Sequence, residues 1–333
     1  MLKEFSSLIL FIACSIFSYC QVITPFTIRT QATQKGGIRF VSNSSVTCSG
    51  GTCAAGRNAL PPAGTGTNNG FTMVYIDADA DGSTVMSSSD SLALPGCSEI
   101  TWAGLYWGAS SAVAMPNYSS RFNIKLKVNK GAYQGLTSAP ANRQDYGANY
   151  FAFTDVTAIV KAAGINARFT IADLITDQGS TNKYGGWTIV VMYKNDLQPM
   201  RNLIVFNGLA NVTGASPIVD VPISGFLTPL SGPVTFDLGV IAYDGDRSSL
   251  GDSLQFKGGA SFLTVADAIH SANDMFNSTL SYNAVLTPYR LPSYNNTLGY
   301  DASIFVPNNA AKTYIGNGAT SATIRLTTGA KRS

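Results

Sequence analysis

The sequence is poor in charge. Only 12% of its 333 residues are Asp, Glu, Lys or Arg, which is about half the share in an ordinary globular protein. The formal net charge is +3, and the chain contains no run of Lys or Arg. Nucleic acids and acidic membranes are bound through such basic patches. The composition therefore excludes nucleic acid from the expected partners.

Groups suited to acid–base catalysis are scarce as well. The chain has one histidine, His270, and two glutamates, Glu4 and Glu99, so the rest of its 19 acidic residues are aspartates. General acid–base catalysis at neutral pH mostly uses His or a tuned Glu. No serine lies in a Gly-X-Ser-X-Gly nucleophile motif. We therefore expect no enzyme, and a glycosidase, which needs only two carboxylates, is the enzymatic alternative.

Long apolar runs are missing too. No segment reaches the 18 uninterrupted apolar residues of a membrane-spanning helix. Residues 1–20 instead combine Lys3 with an apolar stretch over 8–17, a pattern typical of a secretory signal peptide. We expect cleavage after Cys20 and secretion of the mature chain without insertion into a membrane. A lipoprotein anchored through Cys14 is the alternative.

Secretion permits disulfides, and three cysteines remain after the expected cleavage site. Cys48 and Cys53 enclose Ser-Gly-Gly-Thr, a spacer flexible enough to let the two sulfurs meet, so we predict a local disulfide between them. Cys97 has no predicted partner. A zinc site is disfavoured because a fourth ligand is needed and His270 is far away in sequence.

Most of the chain has the pattern of a β-protein. Residues 21–70 are rich in Ser, Thr, Gly and Asn, and they predict loops with one or two short strands. From residue 71 onward, short segments rich in aromatic and β-branched residues alternate with turn residues. The clearest predicted strands are 71–77, 99–108, 122–128, 150–156, 168–176 and 185–194.

Helical patterns are confined to residues 155–163, with Asp155 as N-cap, and to residues 265–272. Many short strands with so little helix predict an all-β fold, an antiparallel β-sandwich of jelly-roll type over residues 71–333. Segments 99–108 and 185–194 are apolar on both faces and should be central strands, whereas 122–128 alternates and should have one solvated face.

The aromatic residues divide into two groups. Trp102, Tyr106, Trp107 and Trp187 lie within apolar strands, so we expect them to pack in the core. Tyrosines in loop-like sequence are better candidates for a contact surface: Tyr133, Tyr146, Tyr289 and Tyr294.

Carboxylates concentrate in one short segment. Asp77, Asp79 and Asp81, followed by Gly82, match the first half of a Ca²⁺-binding loop, in which alternate side chains converge on one ion. Ser88 stands where that loop has a bidentate Glu, and Asp90 follows two residues later. We predict a weak Ca²⁺ site at Asp77, Asp79 and Asp81, with Asp90 as an additional ligand.

A second acidic cluster contains Asp244, Asp246 and Asp252. We predict a second Ca²⁺ site here. For both clusters the alternative is a set of turns in which the carboxylates accept local hydrogen bonds and face solvent.

Several segments together resemble a known family: DADADGSTVMSSSDSLALPG, ITWAGLYWGA, TDVTAIVKAAG, YGGWTIVVMYKNDLQPMRNLIVFNGLA, AYDGDRSSLGDSL and MFNSTLS. They resemble the N-terminal β region of very large bacterial surface proteins with DUF11-type repeats. Within Bacteroidetes the chain is similar to SprB-like gliding-motility adhesins, which the type IX system secretes. The similarity covers roughly residues 70–333 and carries no known catalytic residues.

The resemblance implies further expectations. Members of this family continue into repeats and an anchoring domain, so we expect this chain to be cut from a longer one. In Bacteroidetes, Asp-Ser-Leu resembles an O-glycosylation site, and it occurs here at Ser91 and Ser253.

The expected function is that of an adhesin domain on the bacterial cell surface, which binds a surface polysaccharide or another surface and contacts other cell-surface or secretion-system proteins. The alternatives are a carbohydrate-active enzyme or lectin module, and a structural tip or assembly cap.

Overall fold

The computed structural model describes residues 22–79 and 81–329. The predicted signal peptide, residues 1–20, lies outside them. The described residues are mostly β-strand, with two short α-helices, which confirms the predicted fold class. None of these helices is long and apolar enough to cross a membrane.

The first half of the described chain forms twelve strands. They are β1 (Val22–Ser44), β2 (Val46–Cys48), β3 (Met73–Tyr75), β4 (Ser87–Ala93), β5 (Glu99–Ser110), β6 (Asn123–Val128), β7 (Gln134–Thr137), β8 (Arg143–Tyr146), β9 (Asn149–Asp155), β10 (Asn166–Ala172), β11 (Gly185–Lys194) and β12 (Met200–Ala210).

Eight of these strands form a jelly roll. One sheet has the order β1-β11-β5-β9, extended by β12 and β8, and the other has the order β4-β10-β6-β7. The antiparallel pairs are nested: β1 pairs with β11, β4 with β10, β5 with β9, and β6 with β7. The first of the eight strands thus pairs with the last, and the fourth with the fifth. This is the jelly-roll sandwich predicted from the sequence.

The core of this sandwich lies between its two sheets. Trp107 and Trp187 face each other on the central strands β5 and β11, and both are fully buried. The prediction that these two segments are central strands is confirmed. On β6, Ile124 and Leu126 point into the core while Asn123 is exposed, as its alternating sequence predicts.

Strand β1 consists of two halves with different partners. Residues Gly36–Ser44 pair with β11, whereas residues 22–35 pair with β12 and form with it a two-stranded ribbon, here called the arm. Gly36, with φ of +141°, joins the halves, and a Cβ there would lie 2.0 Å from the Tyr193 carbonyl oxygen. The expectation of only short strands in residues 21–70 is therefore wrong, because the partners of β1 lie far away in sequence.

The second half of the chain forms eight more strands. They are β13 (Ile218–Ser224), β14 (Leu238–Tyr243), β15 (Ser253–Lys257), β16 (Leu263–Val265), β17 (Leu280–Tyr282), β18 (Val285–Leu286), β19 (Tyr300–Phe305) and β20 (Ser321–Thr327).

These strands form two further sheets, with the orders β13-β20-β15-β16 and β14-β19-β17-β18. They enclose a separate core that includes Leu254, Phe256, Met275 and Phe305. The described residues from 71 to 329 therefore contribute to two sandwiches, each with a core of its own, where the sequence predicted one sandwich.

The helices are α1 (Cys53–Asn58) and α2 (Thr157–Ala163). Helix α2 matches the predicted segment 155–163, but its N-cap is Val156 and not the predicted Asp155. The Asp155 carboxylate accepts the Thr157 N–H at 2.8 Å, one residue before the N-cap. The helix expected over 265–272 is absent. There the Asp267 carboxylate accepts the N–H groups of Ile269 and His270, both at 2.9 Å, and such local bonds compete with helix formation.

Candidate functional site

The first acidic cluster lies in the turn between β3 and β4. The Ser87 hydroxyl lies 2.7 Å from Asp79 Oδ1 and 3.0 Å from Asp77 Oδ1. Asp79 Oδ2 accepts hydrogen bonds from Lys127 Nζ and, at 2.6 Å, from the Tyr133 hydroxyl. Burial raises the pKa of Asp79, but the bonds from Lys127, Tyr133 and Ser87 outweigh it and hold this pKa well below its usual range.

The other two predicted ligands have different surroundings. Asp81 Oδ1 accepts the Ser83 N–H at 3.0 Å and the Ser83 hydroxyl at 2.7 Å, which forms an Asx turn. Asp90 is buried in β4 and accepts the N–H groups of Ser42 at 3.0 Å and Ser91 at 2.7 Å. The calcium site at this turn stays a prediction.

Asp244, Asp246 and Asp252 form a structural junction. Asp246 accepts the Asn68 N–H at 3.1 Å and the Asn69 amide at 3.0 Å, and Asp244 accepts the Asn68 amide at 3.1 Å. Asp252 accepts the Phe276 N–H at 2.8 Å. Two of the three carboxylates therefore hold the second sandwich against the segment that follows α1.

Across residues 22–79 and 81–329, no group of three or more His, Cys, Asp or Glu side chains has the spacing of a metal site. The calcium predicted at the second cluster, like that at the first, stays a prediction.

Arg247 strengthens the same junction. Its side chain is fully buried and donates to the carbonyl oxygens of Ala59, Asn277 (3.2 Å) and Asn295 (2.9 Å), and to the Thr279 hydroxyl (3.1 Å). Burial lowers its pKa to about 10. The sequence offers no local signal for this role, because the acceptors come from three separate segments.

His270 lies in the interior of the second sandwich. Its Nδ1 is 2.9 Å from Asp267 Oδ1 and its Nε2 is 3.3 Å from the Ser303 hydroxyl. The order of groups matches that of a catalytic triad. His270 and Ser303 are only 1% and 3% exposed, however, and Ser303 lies within β19. The arrangement is thus a buried hydrogen-bond chain that a substrate does not reach.

The remaining predicted residues are readily located. Cys48 and Cys53 form the predicted disulfide, with their Cα atoms 5.5 Å apart, and Cys97 is an exposed free cysteine. Ser91 is half-buried on β4. The Ser253 hydroxyl lies 2.7 Å from the Thr327 hydroxyl in a buried position. Glycosylation of either serine stays a prediction.

A cleft of about 820 Å³ lies between the two sandwiches. Its walls are the outer face of the six-stranded sheet, the arm, and the second sandwich. Each wall supplies an aromatic ring, namely Phe151, Phe26 and Phe236, and the first two also supply amides such as Gln144 and Asn207.

Two tyrosines on the first wall bear on the sequence predictions. Tyr106 was expected in the core but is half-buried and lines the cleft. Its neighbours Leu105 and Trp107 point to the opposite face and are buried in the core. Tyr146 also lines the cleft, and its hydroxyl accepts the Asn211 amide at 3.0 Å. Of the four loop tyrosines, Tyr146 is therefore the one that lines the cleft, where it can touch a ligand.

The two ends of the cleft differ. At one end Arg201 Nη1 lies 2.6 Å from Asp237 Oδ2, which ties β12 to the residue before β14. At the other end the Tyr243 ring packs against Phe151, with 5.0 Å between ring centroids, and against Tyr184 at 6.5 Å. The cleft thus extends along β12 and β14, from an ion pair to an aromatic cluster.

Models of known protein families give no match to this chain. No curated protein matches it either.

Proposed function

We propose that the chain is a secreted, non-enzymatic binding protein of the bacterial surface, which adheres by holding a polysaccharide or a polypeptide of another surface in the cleft. The observation that carries this proposal is the cleft between the sandwiches. Its volume of about 820 Å³ falls within the range of ligand sites, and such sites occur preferentially between domains.

The chemistry of the walls supports a ligand without charge. Aromatic and aliphatic side chains cover most of the surface, and the polar groups among them include the amides of Gln144, Asn149 and Asn207. The only histidine, His270, is buried elsewhere. Five charged residues reach the cleft, and each has a partner. Arg201 pairs with Asp237, Asp244 and Asp246 accept hydrogen bonds from Asn68 and Asn69, and Asp252 accepts the Phe276 N–H. These placements support binding without catalysis.

The biological setting comes from the resemblance to gliding adhesins. Under this proposal the domain is exported by the type IX system, stays at the cell surface and contributes to adhesion during gliding. The disulfide between Cys48 and Cys53 supports an extracellular location, because such bonds persist in oxidising compartments.

The test is an adhesion assay with beads that carry the secreted protein, on glass coated with neutral polysaccharides or with surface proteins. Asn207→Trp places a large ring in the cleft, and Asn123→Trp places the same ring on the exposed face of β6. We expect only Asn207→Trp to reduce adhesion, by tenfold or more. Equal adhesion of both variants, or turnover of the glycan coating, would contradict the proposal.

A further inference from the structure

The cleft is bounded by two strands with open edges. Within residues 22–79 and 81–329, β12 pairs only with β1, and β14 pairs only with β19. A strand with one neighbour presents a row of backbone N–H and C=O groups on its other side. These two rows form part of the cleft wall.

The lining pattern shows that the backbone of these strands borders the cleft. Every residue of β12 and every residue of β14 lines it. Successive side chains of a strand point to opposite faces. If only one face bordered the cleft, every second residue of the strand would be missing from the lining. The edges of the strands, and not only one face, therefore border the cleft.

The register identifies the open groups on β12. The Gly36 N–H bonds to the Pro199 carbonyl oxygen, in line with the pairing of Lys35 with Met200. Hydrogen-bonded pairs alternate with non-bonded pairs in an antiparallel ladder. Asn202 and Ile204 therefore direct their N–H and C=O groups away from β1, toward the open edge.

The same reasoning applies to β14. The Asp244 N–H bonds to the Gly299 carbonyl oxygen at 2.8 Å, in register with the pairing of Tyr243 with Tyr300. By alternation, Gly239, Ile241 and Tyr243 direct their backbone groups away from β19.

The composition of the two edges is unusual for exposed strands. Natural edge strands are commonly protected by charged residues, prolines or bulges. The charged residue of β12 is Arg201, which pairs with Asp237; residues 202–210, Asn-Leu-Ile-Val-Phe-Asn-Gly-Leu-Ala, contain no charge and no proline, and neither does β14, Leu-Gly-Val-Ile-Ala-Tyr. The ladder of β12 with β1 is regular from Met200 to Val205, and its register shifts lie beyond Val205. Such edges are suited to pairing with another strand, and their position in a cleft limits access to single chains.

From these observations we infer that the cleft binds an extended polypeptide segment of a partner protein, which adds as a strand to the open edges of β12 and β14. This inference rests on the proposed function and names its ligand class. Backbone hydrogen bonds would supply affinity, and the apolar walls would select alternate apolar side chains. The six residues of β14 correspond to a bound segment of about 20 Å.

The decisive variant removes one outward N–H and leaves the ladder with β1 intact. Ile204→Pro does this, because proline is tolerated on an edge strand when its nitrogen faces outward. Ile204→Ala is the matched control, since it loses the side chain but keeps the N–H. The probe is a ten-residue peptide of alternating valine and threonine with lysines at both ends, and its control carries N-methyl groups on alternate amides.

We expect Ile204→Pro to bind the unmethylated peptide at least tenfold more weakly than Ile204→Ala does, since both variants lose the side chain and only Ile204→Pro also loses the N–H. The methylated peptide should bind wild type at least tenfold more weakly. Bound peptide should also slow hydrogen exchange of the Ile204 and Ile241 amides. If Ile204→Pro lowers the melting temperature, its weaker binding no longer distinguishes a lost N–H from a disturbed fold. The comparison of the two peptides on wild-type protein, together with the exchange data, then decides whether a strand is added.

The inference is wrong if both peptides bind equally, or if neither binds and the two amides stay unprotected. If adhesion to a polysaccharide persists in Ile204→Pro but is lost in Asn207→Trp, strand addition is wrong and the proposed function stands. Adhesion that survives Asn207→Trp would reject the proposed function itself.

Discussion

Arg201 Nη1 lies 2.6 Å from Asp237 Oδ2, and this ion pair connects the arm to the second sandwich at one end of the cleft. Both side chains are roughly three-quarters buried, since 29% and 21% of their surfaces remain exposed. The pair therefore fixes the spacing of β12 and β14 while still in contact with water.

We predict a small but measurable coupling between these two residues. A double-mutant cycle with Arg201→Leu and Asp237→Asn should give about 0.5–1 kcal/mol, because partly solvated ion pairs contribute little. Chemical denaturation of the four proteins measures it, and 1 M NaCl should reduce it. A coupling indistinguishable from zero at low salt would show that the pair does not tie the walls together.

The buried Asp90 should make stability depend on pH. Burial raises its pKa to about 6 from the ordinary value of 3.8, against the lowering effect of the Ser42 and Ser91 N–H groups and of Arg290 and Arg168. The folded state thus holds this proton more tightly than the unfolded state. The stability from this group is fully present below pH 3.8 and is lost as pH rises through 6.

The comparison that isolates this effect is wild type against Asp90→Asn, whose side chain does not titrate. Between pH 4 and pH 7 the unfolding free energy of wild type should fall relative to the variant by about 2 kcal/mol, because part of the effect is already lost at pH 4. Urea denaturation at several pH values measures the difference. A difference that stays constant, or one that grows in favour of wild type, would contradict the prediction.

The disulfide gives a prediction about thiols and stability. Non-reducing peptide mapping should find Cys48 bonded to Cys53 and only Cys97 open to alkylation among these three cysteines. The double variant Cys48→Ser, Cys53→Ser should lose about 2 kcal/mol, as the closed loop is short. Cys97→Ser is the control and should match wild type. A Cys53–Cys97 bond in the map would contradict the structure.

Calcium binding at the first acidic cluster is expected to compete with Lys127. Because Lys127 Nζ already binds Asp79, we predict that calcium raises the melting temperature of wild type very little. Lys127→Gln removes that cation, so 1 mM calcium should then stabilise by about 1.4 kcal/mol if the dissociation constant is near 10⁻⁴ M. Melting curves in calcium and in EDTA measure the shift.

The control for this experiment is Lys194→Gln. Lys194 lies at the end of β11 and its carboxylate partner is Asp196, at 3.9 Å, which is not part of the turn. Lys125 is unsuitable because its Nζ donates to the Ser83 carbonyl oxygen within the turn, at 2.7 Å. If Lys127→Gln responds to calcium no more than Lys194→Gln does, the three aspartates form a turn held by hydrogen bonds alone.

Elements with a strong local pattern were predictable from the sequence. The segment 185–194 is β11 with the same bounds, because seven consecutive aromatic, aliphatic or β-branched residues, 187–193, favour a buried strand. The alternation of β6 and the short spacer between Cys48 and Cys53 were equally informative. In each case the residues that decide the structure are neighbours in sequence.

The elements that were missed depend on distant partners. Strand β1 contains many Thr and Gln residues and forms because β11 and β12 pair with it. The hydrogen bonds that Asp244 and Asp246 accept from Asn68 and Asn69 were not predictable, because they join positions far apart in the chain. The cleft itself is formed by three separate walls, so no single segment predicts it.

The nested pairing of the jelly roll determines when the protein can fold. Ser44, near the start of the described chain, lies opposite Gly186, and Gly36 lies opposite Lys194. Contacts between such distant residues form slowly, because a long loop must close first. When the chain appears with its N-terminus first, during synthesis or export, the first sandwich therefore cannot be completed before Lys194 has also appeared. Up to that point β1 has no strand partner, whereas the inner pairs β6–β7, β5–β9 and β4–β10 can already form.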